Sequence, residues 1–226
     1  MVTSEELNMT FQKVGNDFGF EEVKAEFAPF SDLKIRWRRT CCIADFTVSD
    51  YLQDAPEDVI EGIARTIFTK ICTEECPEYP ECTIEWLTSD EFRMNNQDTY
   101  IERNKEISEM EKNEERVLWH SYYRLLDDDL IDSVKGLRMF WSKDKSITKA
   151  GQSSCLMKVV IMNRRFLDKD VPYEVLDYCL LNEIANITTD FGMDAIERKV
   201  KVAEILAKYP DKDTARRWLD RVMMEV

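Results

Sequence analysis

In the last third of the sequence, strand-like segments give way to helix-like ones, and that order leaves few folds open. Leu137-Arg-Met-Phe-Trp141 reads as a strand, Ser142 to Ser154 as a polar loop, and Cys155-Leu-Met-Lys-Val-Val-Ile-Met162 as a more buried strand. After Asp170-Val171-Pro172 a helix is predicted from Tyr173 to about Thr188, then further helices over roughly Met193 to Lys208 and Asp213 to Val226. Strands followed by helices in this order predict an α+β layer arrangement.

Upstream, the patterns are of the same two kinds. Alternation from Phe27 to Val48, with Leu33, Ile35 and Trp37 on one face and then Cys42, Ala44, Phe46 and Val48, predicts two strands with a turn or bulge near Thr40. Asp54-Ala55-Pro56-Glu57 is a helix start with a capping Asp and a Pro in the first turn. Val59, Ile60, Ile63, Ala64, Ile67, Phe68 and Ile71 then recur at three-and-four spacing, the mark of an amphipathic helix. Residues 1 to 20 are polar and poorly periodic, a short helix or a loose lead-in. A proline-punctuated loop from Cys72 to Cys82 is a candidate boundary, and the charged, helix-prone stretch from Ser89 to Asp132 packs mainly through residues after Val117. The expected organisation is a strand–helix region over 1–88, a charged helical insertion over 89–135 and a core over 136–226. No internal repeat or low-complexity tract is evident.

Charge and cysteine usage narrow the setting. Lys and Arg number 31 against 45 Asp and Glu, a net charge of −14 that repels phosphate backbones. Nucleic acid is therefore not an expected partner. The local exception is Lys34-Ile-Arg36-Trp-Arg38-Arg39, where alternation puts three cations on one strand face; a solvated face paired with carboxylates is the plainer reading. No leader pattern opens the chain and no run reaches about 18 uninterrupted apolar residues, so neither secretion by that route nor a membrane span is expected. Seven cysteines, an odd number, favour a reduced, cytoplasmic setting over a disulfide framework.

The chemistry concentrates in the helix after Pro172. Asn182-Glu183-Ile-Ala-Asn186 interrupts the apolar residues Leu180, Leu181, Ile184, Ala185 and Ile187. Asn is a poor residue for a helix interior because its side chain competes for backbone hydrogen bonds. Two at i and i+4 share a face, either as ordinary part-exposed polar positions or as a site.

With its flanks, Val171-Pro-Tyr-Glu-Val-Leu-Asp-Tyr-Cys-Leu-Leu-Asn182-Glu183-Ile-Ala-Asn186-Ile resembles the active-site helix of SprT-like zinc metallopeptidases, also called minigluzincins. In that family the helix reaches His-Glu-x-x-His, whose two imidazoles converge on one zinc while the Glu polarises a metal-bound water. Val160-Ile-Met-Asn163-Arg-Arg-Phe166 is similar to the strand that precedes that helix, and Lys208-Tyr-Pro-Asp211 with Ala215, Trp218 and Leu219 to the closing segment. The region from Phe27 to Ile71 looks like that of archaeal members. The resemblance implies a zincin-like α+β fold, with a small sheet packed on the active-site helix and a helical insertion.

It also implies site positions. Glu183 stands at the general-base position, Asn182 and Asn186 at the two ligand positions, and Arg198 near the third, with Asp194 and Glu197 beside it. The only histidine is His120, in the insertion. A neutral amide oxygen is a weak zinc ligand, and without a metal the pKa of water is not lowered from about 16 to about 7 for Glu183 to exploit. No metal or cofactor is therefore expected, although the family carries zinc.

The expected function is a non-catalytic pseudopeptidase that binds a protein or peptide in the vestigial cleft. The alternative is a metal-dependent hydrolase in which Glu183, Asp190, Asp194 or Glu197 supplies oxygens to a harder cation. A third reading is a scaffold acting through residues 96 to 116. Cys72, Cys76 and Cys82 could bind a metal as thiolates, with loop cysteines as the plainer reading. Cys155 and Cys179 read as inert core cysteines, and His120 as a packing or partly exposed histidine rather than a catalyst.

Overall fold

Capping chemistry makes the N-terminal segment a helix where apolar periodicity is weak. In the structure, a computed structural model that describes residues 1–73, 77–168, 170–189 and 191–224, helix α1 spans Ser4–Asp17 and opens with a capping box. Glu6 N donates to Thr3 Oγ1 at 3.2 Å and Thr3 N donates to Glu6 Oε2 at 2.8 Å, which satisfies two of the donors a helix start leaves over. The helix ends where Gly19 adopts φ +85°, a left-handed turn that favours glycine. The choice between short helix and loose lead-in is thereby decided for a helix that buries Leu7, Phe11 and Val14.

Three strands follow: β1 (Glu22–Ala28), β2 (Ile35–Arg39) and β3 (Ile43–Ser49), ordered β1-β3-β2 with β1 parallel and β2 antiparallel to β3. The expected turn near Thr40 is present, closed by Thr40 N donating to Ile43 O at 2.8 Å. The third strand, β1, was hidden because five of its seven positions are charged or alanine and only Val23 and Ala25 are buried. Helix α2 (Glu57–Thr73) begins after Pro56 and places Phe68 among Phe11, Phe18, Phe20 and Phe46, with ring centroids 6.5, 5.6, 5.3 and 5.1 Å away. Helices α3 (Glu81–Thr88) and α4 (Asp90–Arg103) complete this first unit, Met1–Arg103.

The second unit begins at Asn104. Helix α5 (Lys112–Asp127) precedes β4 (Arg138–Trp141), β5 (Gly151–Ser154) and β6 (Val159–Met162), and helices α6 (Tyr173–Thr188), α7 (Ala195–Ala207) and α8 (Lys212–Met224) follow. Strand order is β4-β6-β5, with β4 parallel and β5 antiparallel to β6. Two expectations need correction. The stretch read as a polar loop contains β5, whose Gly-Gln-Ser-Ser composition has low strand propensity and forms a strand because β6 offers it a partner. The strand read from Cys155 starts only at Val159, because Cys155 to Lys158 form a turn in which Lys158 takes φ +50°. The expected insertion over 89–135 is shared between units: α4 belongs to the first and α5 to the second.

Both units therefore run helix, three strands, short 3-10 turn, three helices, with the same strand order and directions. This is an internal repeat, where none was evident in the sequence. Aligning Asp54-Ala-Pro56 with Asp170-Val-Pro172 sets Val59 on Val175, Ile60 on Leu176 and Ile71 on Ile187, and all eight buried positions of α2 then fall on buried positions of α6. Leu7, Phe11 and Val14 of α1 match Leu118, Tyr122 and Leu125 of α5 in spacing and burial. The ion pair that ties the first helix of the unit to the second recurs too: Lys13 to Glu61 at 3.0 Å in one unit, Arg124 to Asp177 at 2.6 Å in the other.

Candidate functional site

Helix α6 is apolar nearly all round, and Val175, Leu176, Leu180, Leu181, Ile184 and Ile187 join Val160 and Met162 of β6 in the core of the second unit. Such a helix has little room for polar groups. Glu183 is nevertheless buried, at 8% exposure, with Asn182 and Asn186 half-buried on either side.

The space for Glu183 is made by β5. A Cβ on Gly151 would lie 3.0 Å from Glu183 Cγ and 3.0 Å from Met162 Sδ, so the absence of a side chain there lets the glutamate rest against the strand. Two residues along, on the same face, Ser153 Oγ donates to Glu183 Oε2 at 2.7 Å. Asn182 Nδ2 donates to Glu183 Oε1 at 3.1 Å. Burial pushes the Glu183 carboxyl above the usual carboxylate range, and these two donors oppose the shift without cancelling it. A cleft of about 640 Å³ opens beside it, lined also by Tyr178, Leu206, Arg216 and Asp220, a volume in the range of small-ligand pockets. Cys179 also lines this cleft, but burial pushes its thiol far up, so it is an inert core sulfur.

The positions matched to zinc ligands do not form a zinc site. Asn182 spends its amide N–H on Glu183, and Asn186 Nδ2 donates to Asn182 O, one turn back, at 2.8 Å. Arg198, on α7, donates from Nη2 to Phe191 O at 2.9 Å and is a cation where the family resemblance places a ligand. Asp194 caps α7, accepting from Ile196 N at 2.7 Å, and Glu197 is exposed; Asp190 lies outside the described residues. Among the described residues no three His, Cys, Asp or Glu side chains come together to hold a metal ion. Two neutral amides and one carboxylate are a poor donor set for zinc.

The remaining candidates are scattered. Cys72 and Cys82 are exposed free thiols, and Cys76 lies outside the described residues. Cys155 is half-buried in the turn before β6, and His120 is exposed on α5. Arg36 and Arg38 are exposed on β2, in register with Thr47 and Asp45, and Arg36 lies 5.0 Å over the Phe30 ring. No described helix is long and apolar enough to cross a membrane.

The sequence had shown Glu183 but not Gly151, Ser153 or Arg216. It had also missed the network behind α6, where buried Asp177 accepts from Ser121 Oγ at 2.5 Å and from Arg124 Nε at 2.7 Å. The only available signal was an acidic residue inside an apolar helix, with an arginine and a serine three apart on another.

Compared with models of known protein families, with curated proteins and with solved structures, the chain matches none.

Proposed function

We propose that the second unit is a zincin-like, SprT-type fold that has lost its zinc ligands and works as a pseudopeptidase, holding a protein or peptide segment in the cleft beside Glu183. The observation that carries this reading is the comparison of one position in the two units. Where α6 has Glu183, α2 has Ile67, which is also buried, at 6% exposure. The scaffold accepts an aliphatic side chain there, so the carboxyl of Glu183 is a cost in packing and desolvation with no structural need behind it. Polar groups kept in a cleft at a stability cost are the usual mark of a binding site.

The surroundings support the same reading. Strand β5 stands at the edge of its sheet, and Ala150, just before it, lines the cleft together with Asn182 and Glu183 of α6. Glu183, Asn182 and Arg216 offer a carboxyl, an amide and a guanidinium to peptide groups. Amide ligands leave Glu183 without a metal-activated water, so binding rather than hydrolysis is the proposed activity. A cytoplasmic setting belongs to this proposal and rests on the odd number of cysteines.

The test is a fluorogenic peptide library incubated with the full chain, with and without added zinc, manganese or a chelator, read for both binding and cleavage. Peptides that bind the natural chain and lose affinity for the Gly151→Ile variant, with no cleavage in any condition, are expected. Cleavage abolished by chelator and restored by zinc would overturn the reading; cleavage restored by manganese alone would favour an oxygen-ligand hydrolase.

A further inference from the structure

A second cavity, of about 460 Å³, lies on the face of the second sheet that turns away from α6. Side chains alternate along a strand, so Gln152 of β5 points away from the face that Gly151 and Ser153 present to Glu183. Gln152 and Ile161 line this cavity. One wall is the segment at Lys105 and Glu106, laid beside the end of β4 by Lys143 N donating to Glu106 O at 2.8 Å. The other wall is the loop from Ser142 to Ala150.

That loop is held in place from below. Asn163, only 2% exposed, donates from Nδ2 to Ser146 O and to Lys149 O, both at 2.7 Å. Ser146 Oγ in turn accepts from Thr148 N at 3.1 Å and from Lys149 N at 3.2 Å. The lysines of the loop are sorted by this arrangement. Lys145 pairs with both oxygens of Asp168, at 2.6 and 2.8 Å. Lys105, Lys143 and Lys149 line the cavity, and among the described residues none has an ion-pair partner, even though Glu106 and Asp144 share the lining.

We propose that this cavity binds a hydroxylated phosphate monoester of the sugar-phosphate class. Three lysines against the carboxyls of Glu106 and Asp144 leave the lining of this concavity with an excess of positive charge, in a chain whose net charge is −14. Each ammonium offers three freely oriented donors, which suits a compact dianion better than a planar carboxylate. Glu106, Asp144 and Gln152 supply acceptors for hydroxyls on the remainder of the ligand, and Ile161 supplies an apolar contact. The volume fits a small molecule of this size. The proposal concerns a different cavity from the Glu183 cleft and stands or falls separately.

Thermal denaturation of the full chain with ribose 5-phosphate as the probe tests it. At ten times its Kd the probe is expected to raise Tm by about 4 °C, while ribose, and sodium chloride at matched ionic strength, leave Tm unchanged. The double variant Lys143→Gln/Lys149→Gln, altered only at exposed side chains, is expected to fold and to lose the rise; Lys145→Gln, whose natural side chain is already paired with Asp168, is expected to keep it. No rise with the natural chain, an equal rise with chloride or ribose, or a rise that survives the double variant would overturn the proposal. So would an equal loss in Lys145→Gln, which would show a general charge effect.

Discussion

The two units use one arrangement of elements for different ends, and the difference sits in one strand and one turn of helix. In the first, β2 sets Ile35 against Val48 and Trp37 against Phe46, and α2 presents Ile67. In the second, the register-equivalent positions hold Gly151 against Met162 and Ser153 against Val160, and α6 presents Glu183. The first unit carries large apolar groups at these positions, Ile35 half-buried and Trp37 41% exposed. The second clears them and lines the space with a carboxyl, a hydroxyl and an amide. A scaffold that folds with either set tolerates a site without depending on it.

The most severe test of the comparison is to exchange the key residue in the wrong direction. Ile67→Glu puts a carboxylate at a buried position with no donor arranged for it, and a loss of about 4 kcal/mol in urea denaturation is expected. A loss below about 1 kcal/mol would mean that the first unit already has a polar cleft, and the contrast would fail.

The ion pairs that tie helices in each unit come next. Asp177 is buried, at 6% side-chain exposure, and holds Arg124 and Ser121, so Asp177→Ala is expected to cost about 3 kcal/mol. Its counterpart Glu61 pairs with Lys13 and Arg65, which are 62% and 45% exposed, and Glu61→Ala should cost under about 1 kcal/mol. Equal losses would show that burial does not separate the two pairs.

Filling the cleft is a milder change. Gly151→Ile gives β5 the residue of β2, but its Cβ alone would meet Glu183 Cγ and Met162 Sδ at 3.0 Å, and overpacking of about 2 kcal/mol is expected. Combining it with Glu183→Ile tests whether the pair is coupled: the double variant should lose less than the sum of the single losses.

The smallest expected effect carries the sign of the Glu183 titration. A carboxyl raised by burial binds its proton more tightly in the folded chain than in the unfolded one. Folding stability therefore falls as pH rises from the unfolded value through the raised folded value. Glu183→Gln cannot ionise, so it should be more stable than the natural chain at pH 7, with the gain vanishing as the pH falls to the ordinary carboxylate range. Urea midpoints at the two pH values decide it. A gain of the same size at both would mean that charge is not the cause.

Much of the helical structure was legible because helices announce their ends. Pro56 and Pro172 mark the starts of α2 and α6, and the predicted range of α6 agrees with the observed Tyr173–Thr188. Strands β1 and β5 were not legible, since a strand's identity lies partly in its partner: Gly-Gln-Ser-Ser has no strand character until β6 is beside it. The repeat was hidden for a related reason. Asp54, Pro56, Val59, Ile71 and Thr73 recur as identical residues, but the rest of the match is in burial, which a sequence does not display. Glu183 stood out as a charge between two amides in an apolar helix, whereas its partner Ser153 is thirty residues away in what reads as loop.

Gly151 has one further consequence. Its backbone lines the lysine cavity on one side of β5, while its missing side chain makes room for Glu183 on the other. The two hollows are thus separated by the thickness of a single edge strand. Anything that presses that strand from one side takes volume from the other, so occupancy of either hollow should be felt as a change of width in its neighbour.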